Sequence, residues 1–226
     1  ASCVNLSASL ADALLYFLNP HSPHCSRSVF VAPVMPTALV VRLVFWIWFG
    51  AAFFAGQQLL LLRLPALATT AMVIGLTTLL LLAYFRFSPV RTWVDALDLR
   101  VLVLLHVTRF VGIYLLVLYR RGQLPYDFAV PGGIGDIIVA ALALPIALAP
   151  LADTTRQRAI RIWNIIGLVD IALVLLTATR LNLADPAHLR ALTYLPLSLL
   201  PTFIVPLIIA SHVVIFVRLS RSQSPA

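Results

Sequence analysis

Six long apolar stretches follow one another along the chain, separated by short segments with turn-forming or charged residues. They lie roughly at 38–60, 65–85, 99–119, 132–151, 160–179 and 195–217. An α-helix needs about 20 apolar residues to cross the hydrocarbon core of a bilayer, which is about 30 Å thick. Only helices or closed barrels satisfy every backbone polar group in lipid, and apolar runs of this length exclude barrel strands. The pattern therefore predicts an all-α membrane protein, a bundle of six transmembrane helices.

Arginine is distributed unevenly between the two ends of these predicted helices. With the N-terminus inside the cell, ten flanking arginines fall on the cytoplasmic side: Arg27, Arg42, Arg86, Arg91, Arg100, Arg156, Arg158, Arg161, Arg218 and Arg221. Five fall on the opposite side: Arg63, Arg120, Arg121, Arg180 and Arg190. Cytoplasmic flanks of membrane helices carry an excess of basic residues. The bias therefore predicts that both termini are cytoplasmic (N-in, C-in).

Composition supports lipid as the solvent for most of the chain. Of its 226 residues, 62% are hydrophobic and only 11% are charged, whereas soluble domains carry about 25% charged residues. The net charge of +8 comes from arginine and aspartate alone, and no run of basic residues alternates with aromatic ones, so nucleic acid is not expected as a partner. The expected partners are the bilayer and either a second copy of the chain or another membrane protein.

The segment before the first apolar stretch, residues 1–37, is predicted to be a leader outside the transmembrane domain of 38–218, and 219–226 a short cytoplasmic tail. The first methionine is Met35, and the only apolar run before it is too short to span a membrane. We expect native translation to begin at Met35. Cys3 and Cys25 lie in this leader, which is expected to face a reducing compartment, so no disulfide is predicted. No metal site is expected.

Five ionisable residues lie within the predicted helices rather than at their ends: His106, Arg109, Asp136, Asp170 and His212. Such groups are costly in lipid and usually face the interior of a bundle. Arg109 and Asp170 are each near the midpoint of their helix, so they should lie at similar depth. An unpaired charge at that depth costs at least about 2.5 kcal/mol. We therefore expect Arg109 and Asp170 to pair.

Counting residues from the helix ends orders the five groups by depth. Asp136 falls in the outer half of the membrane, Arg109 and Asp170 in the middle, and His106 and His212 in the inner half. This order suits a path for protons or ions, since histidine titrates near neutral pH and carboxylates can pass protons on. The alternative is a purely structural salt bridge, with hydrogen-bonded histidines that fix the register of the helices.

Asp136 also has a local interpretation. It follows the string Pro131-Gly-Gly-Ile-Gly135 at the predicted start of the fourth helix. A carboxylate in that position accepts hydrogen bonds from the free N–H groups of the first turn and opposes the helix dipole. Two interpretations of Asp136 therefore remain, a helix cap and a functional group of the polar centre.

His106 and His212 lie on different helices and could serve as the two axial ligands of a b-type haem, with an arginine for the propionates. Electron-transfer proteins place such ligands at matched depth, whereas the counted depths of these two differ by several ångströms. No haem is therefore predicted, and a haem protein is kept only as an alternative. The serine-hydrolase, zinc-protease and nucleotide-binding motifs are missing from the sequence, and an enzyme is not expected.

Four stretches carry a resemblance: RFVGIYLLVLYRRGQLP, PGGIGDII, WNIIGLVDIALV and LPLSLLPTFIVPLIIASH. They are similar to uncharacterised bacterial multi-pass membrane proteins, over roughly residues 36–218. That family has no assigned activity, so the resemblance implies only a bacterial inner membrane and a six-helix topology.

The leading functional hypothesis is a protein that moves a small solute or protons through an intramembrane polar centre. In it Arg109 and Asp170 form the central pair, Asp136 is the outer group, and His106 and His212 form the inner relay. The alternatives are a non-catalytic membrane subunit or assembly factor with structural charges, and a haem electron carrier.

Overall fold

The computed structural model describes residues 37–221, and its regular structure is entirely helical over that range. Six helices in it are long and apolar enough to cross a membrane, which confirms the predicted helical membrane fold. These six are α1 Thr37–Gln57, α2 Ala66–Arg86, α4 Leu99–Arg120, α5 Tyr126–Leu148, α6 Asp153–Ala184 and α7 Leu200–Arg221. A short helix, α3 Ser88–Asp95, joins α2 to α4. The predictions about the leader, the Met35 start and the last five residues of the tail lie outside the described residues.

Several helices extend beyond the apolar stretches that predict them. Helix α5 begins at Tyr126 rather than near residue 132, directly after Pro125, and it continues through Pro131. Helix α6 begins at Asp153, so the polar stretch before residue 160 is helical as well. A polar residue ends the apolar run without breaking the helix, and proline is tolerated where neighbouring helices satisfy the freed backbone groups. Hydropathy therefore locates the membrane better than it locates the helix ends.

The core of the bundle is made by α4, α5, α6 and α7, and α2 packs on α6 and α7. Helix α1 lies at the periphery, where only Ala52 and Gly56 are buried among its residues. Helices α4 and α5 approach closely at Gly112 and Gly133, since a Cβ at Gly133 would lie 2.9 Å from the Gly112 carbonyl oxygen. Small residues at such crossings let membrane helices pack backbone to backbone.

Two of the core helices depart from regular α geometry. Helix α4 contains a 3₁₀ segment, Leu105–Phe110, and α7 begins with a π-helical segment, Leu200–Ile204. Side chains three residues apart eclipse each other in a 3₁₀ helix, so His106 and Arg109 both project into the bundle, and both are buried.

Two buried apolar clusters occupy the two ends of the bundle. We call the end with the short helix α3 the α3 side, and the end with the connections after α1, α4 and α6 the far side. On the α3 side, the cluster consists of Val103, Val139, Ala143, Ala147, Ile160, Trp163, Ile215 and Leu219. On the far side it consists of Leu115, Leu118, Leu124, Phe128, Ala129, Leu189 and Leu197. The buried residues Arg109, Asp136, His106 and His212 lie between these clusters.

Candidate functional site

The centre of the bundle is built around the guanidinium of Arg109, whose side chain is 1% exposed. Its Nε donates to Asp136 Oδ1 at 2.6 Å, and its Nη1 donates to the Gly167 carbonyl at 3.1 Å. Its Nη2 donates to Asp170 Oδ2. The structure thus brings Arg109 and Asp170 together and adds Asp136 as a second carboxylate on the same guanidinium.

Asp136 lies elsewhere than the sequence predicts. Because α5 begins at Tyr126, Asp136 is near the middle of the helix instead of at its start. The helix-cap interpretation is therefore wrong. Asp136, Arg109 and Asp170 lie at one level, and the proposed ladder loses its outer step.

Glycines make room for these charged contacts. A Cβ on Gly112 would lie 2.9 Å from Asp136 Cβ and still closer to the Gly133 carbonyl oxygen. A Cβ on Gly135 would lie 2.7 Å from Asp170 Cγ. Any larger residue would push the helices apart and move the carboxylates away from Arg109.

His106 and His212 form a second buried group, on the α3 side of Arg109. Both are 0% exposed, and their ring centroids lie 4.3 Å apart. The sequence count placed the two rings several ångströms apart in depth, and in the structure the two rings contact each other directly, with His106 in the 3₁₀ segment of α4. Trp163 packs edge-on against His106 at 4.8 Å.

The hydrogen bonds around the two histidines determine which ring nitrogens carry protons. Asn164 Nδ2 donates to the His212 carbonyl at 3.0 Å, so its Oδ1 must accept from His212 Nδ1 at 2.7 Å. Ser211 donates its only hydroxyl proton to the Ile208 carbonyl and so accepts from His106 Nε2 at 3.0 Å. The remaining nitrogens, His106 Nδ1 and His212 Nε2, have no hydrogen-bond partner among the described residues.

This arrangement does not support the haem alternative. A bis-histidine haem holds its iron and ring plane between the two imidazoles, and rings in contact at 4.3 Å leave no space for it. The haem electron carrier stays an alternative that rests on the sequence only. Within residues 37–221 no group of three or more histidine, cysteine or acidic side chains is positioned to hold a metal ion.

A cavity of about 160 Å³ leads from the centre towards the far side. Arg109 and Asp136 lie at its inner end, and the connections Leu60–Arg63 and Pro186–Thr193 contribute residues at its outer end. Its walls are mainly apolar, with side chains such as Val73, Leu115, Ile171, Val174, Leu175 and Ile208. Towards the α3 side, by contrast, every member of the apolar cluster is at most 2% exposed. The cavity therefore extends from the polar centre towards the far side, and its lining includes no member of the apolar cluster on the α3 side.

Sequence reasoning missed the hydrogen-bond partners of the histidines. Asn164 and Ser211 are buried at 0% and 6% exposure, and each holds one imidazole. An amide side chain is rare inside an apolar transmembrane stretch, so the position of Asn164 alone could have marked it as a candidate member of the polar site. The partner of a given histidine, however, depends on which helix faces which.

A family model described as "Domain of unknown function (DUF8737)" matches residues 66–220. The matched region runs from the start of α2 almost to the end of α7, and it includes Arg109, both carboxylates and both histidines. No curated protein and no solved structure matches the chain.

Proposed function

Since the chain belongs to the family described as a domain of unknown function (DUF8737), which brings no activity with it, we propose a function from the geometry. This multi-pass membrane protein moves a small solute across the membrane, and the movement is coupled to a proton at the centre formed by Asp136, Arg109 and Asp170.

The charges of the centre support a coupled proton. One guanidinium and two ionised carboxylates sum to a net charge of −1, and the nearest further ionisable side chains are His106 and His212. A buried net charge is costly, by several kcal/mol per ion in real proteins. A proton on either carboxyl group cancels that charge. The centre therefore holds one exchangeable positive charge in addition to Arg109.

The cavity is the observation that carries the proposal. It extends from Asp136 to the connections on the far side, whereas the α3 side is filled by a tightly packed apolar cluster. A salt bridge that served only to hold helices together would need no such cavity. A centre open to one side at a time is what alternating access requires.

The irregular helix segments lie where a transport cycle would need movement. The 3₁₀ segment of α4 provides Thr108 and Arg109 to the cavity, and the π segment of α7 provides Leu200, Pro201 and Ile204. Such segments frequently mark hinges and functional sites. A change of helical type there would shift Arg109 without unfolding either helix.

The test is proton movement in proteoliposomes that contain a trapped pH-sensitive dye. Small amines, carboxylates and alcohols are added outside in turn, and protein-free liposomes correct for passive permeation. We expect at least one class to change the lumenal pH with the wild-type protein, and Asp136→Asn to abolish the change because the exchangeable charge is lost.

Asp127→Asn is the matched control, since Asp127 lies on the same helix and makes only an exposed ion pair with Arg180 at 3.6 Å. It should retain the wild-type response. Transport by Asp136→Asn at the wild-type rate, or a lumenal pH unaffected by every solute class, would contradict the proposal.

The non-catalytic subunit remains the second candidate, and the observation in its favour is that Arg109 already has three acceptors. In that case Asp136→Asn would lower the thermal stability of the purified protein, and no solute would move in the wild-type liposomes. Co-purification of a stoichiometric membrane protein would then be expected.

A further inference from the structure

We infer that the cavity binds a small organic monocation, an ammonium group on an apolar body about the size of benzene, and that this cation replaces the proton at Asp136. The inference rests on the proposed function and names the substrate class of the same site.

The size of the ligand follows from the volume of the cavity. It measures about 160 Å³, close to the engineered cavity of about 150 Å³ that binds benzene in another protein. The walls around Val73, Ile171 and Val174 present hydrocarbon, so burial of an apolar body is favourable there. One ring or a short branched chain with a single polar group fills the space.

The charge of the ligand follows from the inner end of the cavity. Arg109 is matched by one carboxylate, so the second carboxylate leaves a full negative charge when no proton is bound. Asp136 is the carboxylate on the cavity wall. Its Oδ1 accepts from Arg109 Nε, and its Oδ2 has no hydrogen-bond donor in the described part of the chain. An ammonium group at Oδ2 brings the net charge to zero, whereas an anion would bring it to −2.

The proton and the cation then exclude each other. Both neutralise the same charge, so arrival of the ammonium group at Asp136 releases the proton to solvent, and no covalent bond other than O–H is broken. The other ionisable side chains around the centre are Asp170, His106 and His212, with Arg190 at the outer end of the cavity. Arg190 is exposed, so solvent weakens its repulsion of an entering cation without abolishing it.

Binding of three ligands of one shape tests the inference: benzylamine, benzyl alcohol and benzoate, which at neutral pH carry charges of +1, 0 and −1. Calorimetry on the purified full-length protein in detergent gives the affinities. Titrations in buffers of different ionisation enthalpy count the protons released. We expect benzylamine to bind about tenfold or more tighter than benzyl alcohol, since hydrogen bonds to charged groups are roughly twice as strong as neutral ones. Up to one proton should leave per bound cation, and benzoate should bind weakest.

Four variants test whether benzylamine binds in the cavity. Asp136→Asn should remove both benzylamine binding and proton release, and Asp127→Asn should retain both. Arg190→Gln should tighten benzylamine, whereas it would weaken an anionic ligand. Ala178→Leu adds bulk to the cavity wall while it leaves every charge in place, so it should weaken both benzylamine and benzyl alcohol even if Asp136→Asn does not fold.

Tightest binding by benzoate, or benzylamine binding that survives Asp136→Asn or Ala178→Leu, would overturn the inference. The two proposals fail separately. If a carboxylate or an alcohol moves with a proton in liposomes and benzylamine does not bind, the substrate class is wrong and the transport function stands. If benzylamine binds with proton release but no solute moves, the transport function is wrong and the cation site stands.

Discussion

At the scale of single residues, the centre depends on the ratio of one guanidinium to two carboxylates. Arg109 has acceptors on three sides, which satisfies a group that lipid would otherwise leave without partners. Removal of one partner from a buried ion pair is harmful mainly because it leaves the other charge uncompensated. The three residues of the centre are therefore not equivalent towards substitution.

Arg109→Gln should destabilise the protein by about 3–5 kcal/mol, because two carboxylates then face each other without a cation. Asp136→Asn should cost less, since it leaves a neutral pair of Arg109 and Asp170. Thermal unfolding of the purified variants, followed by circular dichroism in detergent, measures the difference. Arg120→Gln is the control, an exposed arginine at the end of the same helix. An Asp136→Asn variant less stable than Arg109→Gln would refute this count of charges.

At the scale of helices, the close crossing of α4 and α5 determines whether the charges can meet. Gly112 packs against the backbone of Gly133 and against Asp136, so the two helices touch at the level of Arg109. Backbone atoms cannot swing away as a flexible side chain would. The charged centre and the glycine crossing are therefore parts of one arrangement.

Gly112→Ala should separate α4 from α5 and lower the stability by about 1–3 kcal/mol, the usual cost of added bulk in a packed core. The same unfolding measurement applies. Gly75→Ala is the matched control, because a Cβ at that helical position has nothing within 4 Å. It should be neutral or slightly stabilising. Equal effects of the two substitutions would mean that the crossing is looser than described.

At the scale of the whole molecule, the cavity lies on one side of the charged centre. The cavity reaches the far side, and a network of Tyr84, Asp95 and Arg221 ties α2, α3 and α7 together on the α3 side, with Tyr84 donating to Asp95 at 2.8 Å. Under the arginine bias, the α3 side is cytoplasmic. With that orientation, the cavity would lie between the centre and the connections on the outside of the cell.

Cysteine labelling tests this orientation. In a background with Cys3 and Cys25 replaced by serine, Gln123→Cys on the far side should react with a membrane-impermeant maleimide in intact cells. Thr155→Cys on the α3 side should react only after permeabilisation. Both positions are exposed, so detergent-solubilised protein should label equally at both. The reverse pattern in intact cells would overturn the predicted N-in, C-in topology.

Counting residues along the helices predicted the pair of Arg109 and Asp170, but it did not predict that Asp136 joins them or that the two imidazoles touch. The first two lie in the middle of helices whose apolar limits are clear. Asp136 was taken for a helix cap because Asp127 and Pro131 interrupt the apolar run at the start of α5. The depth of His106 was counted along an ideal α-helix, although α4 has a 3₁₀ segment there. Counting along an ideal α-helix fails where the helix begins outside the apolar run or changes type.

The sequence alone determined lipid as the solvent, the six apolar helices and the presence of buried charges, because hydropathy and the rise of a helix are local properties. Only the tertiary structure decided that Asp136 joins Arg109, that Asn164 and Ser211 hold the two imidazoles, and that a cavity reaches the centre from one side. These contacts depend on the rotation and crossing of helices that are distant in the chain. Lipid tails favour no particular apolar face of a helix, so hydrophobic pattern carries little information about which faces meet.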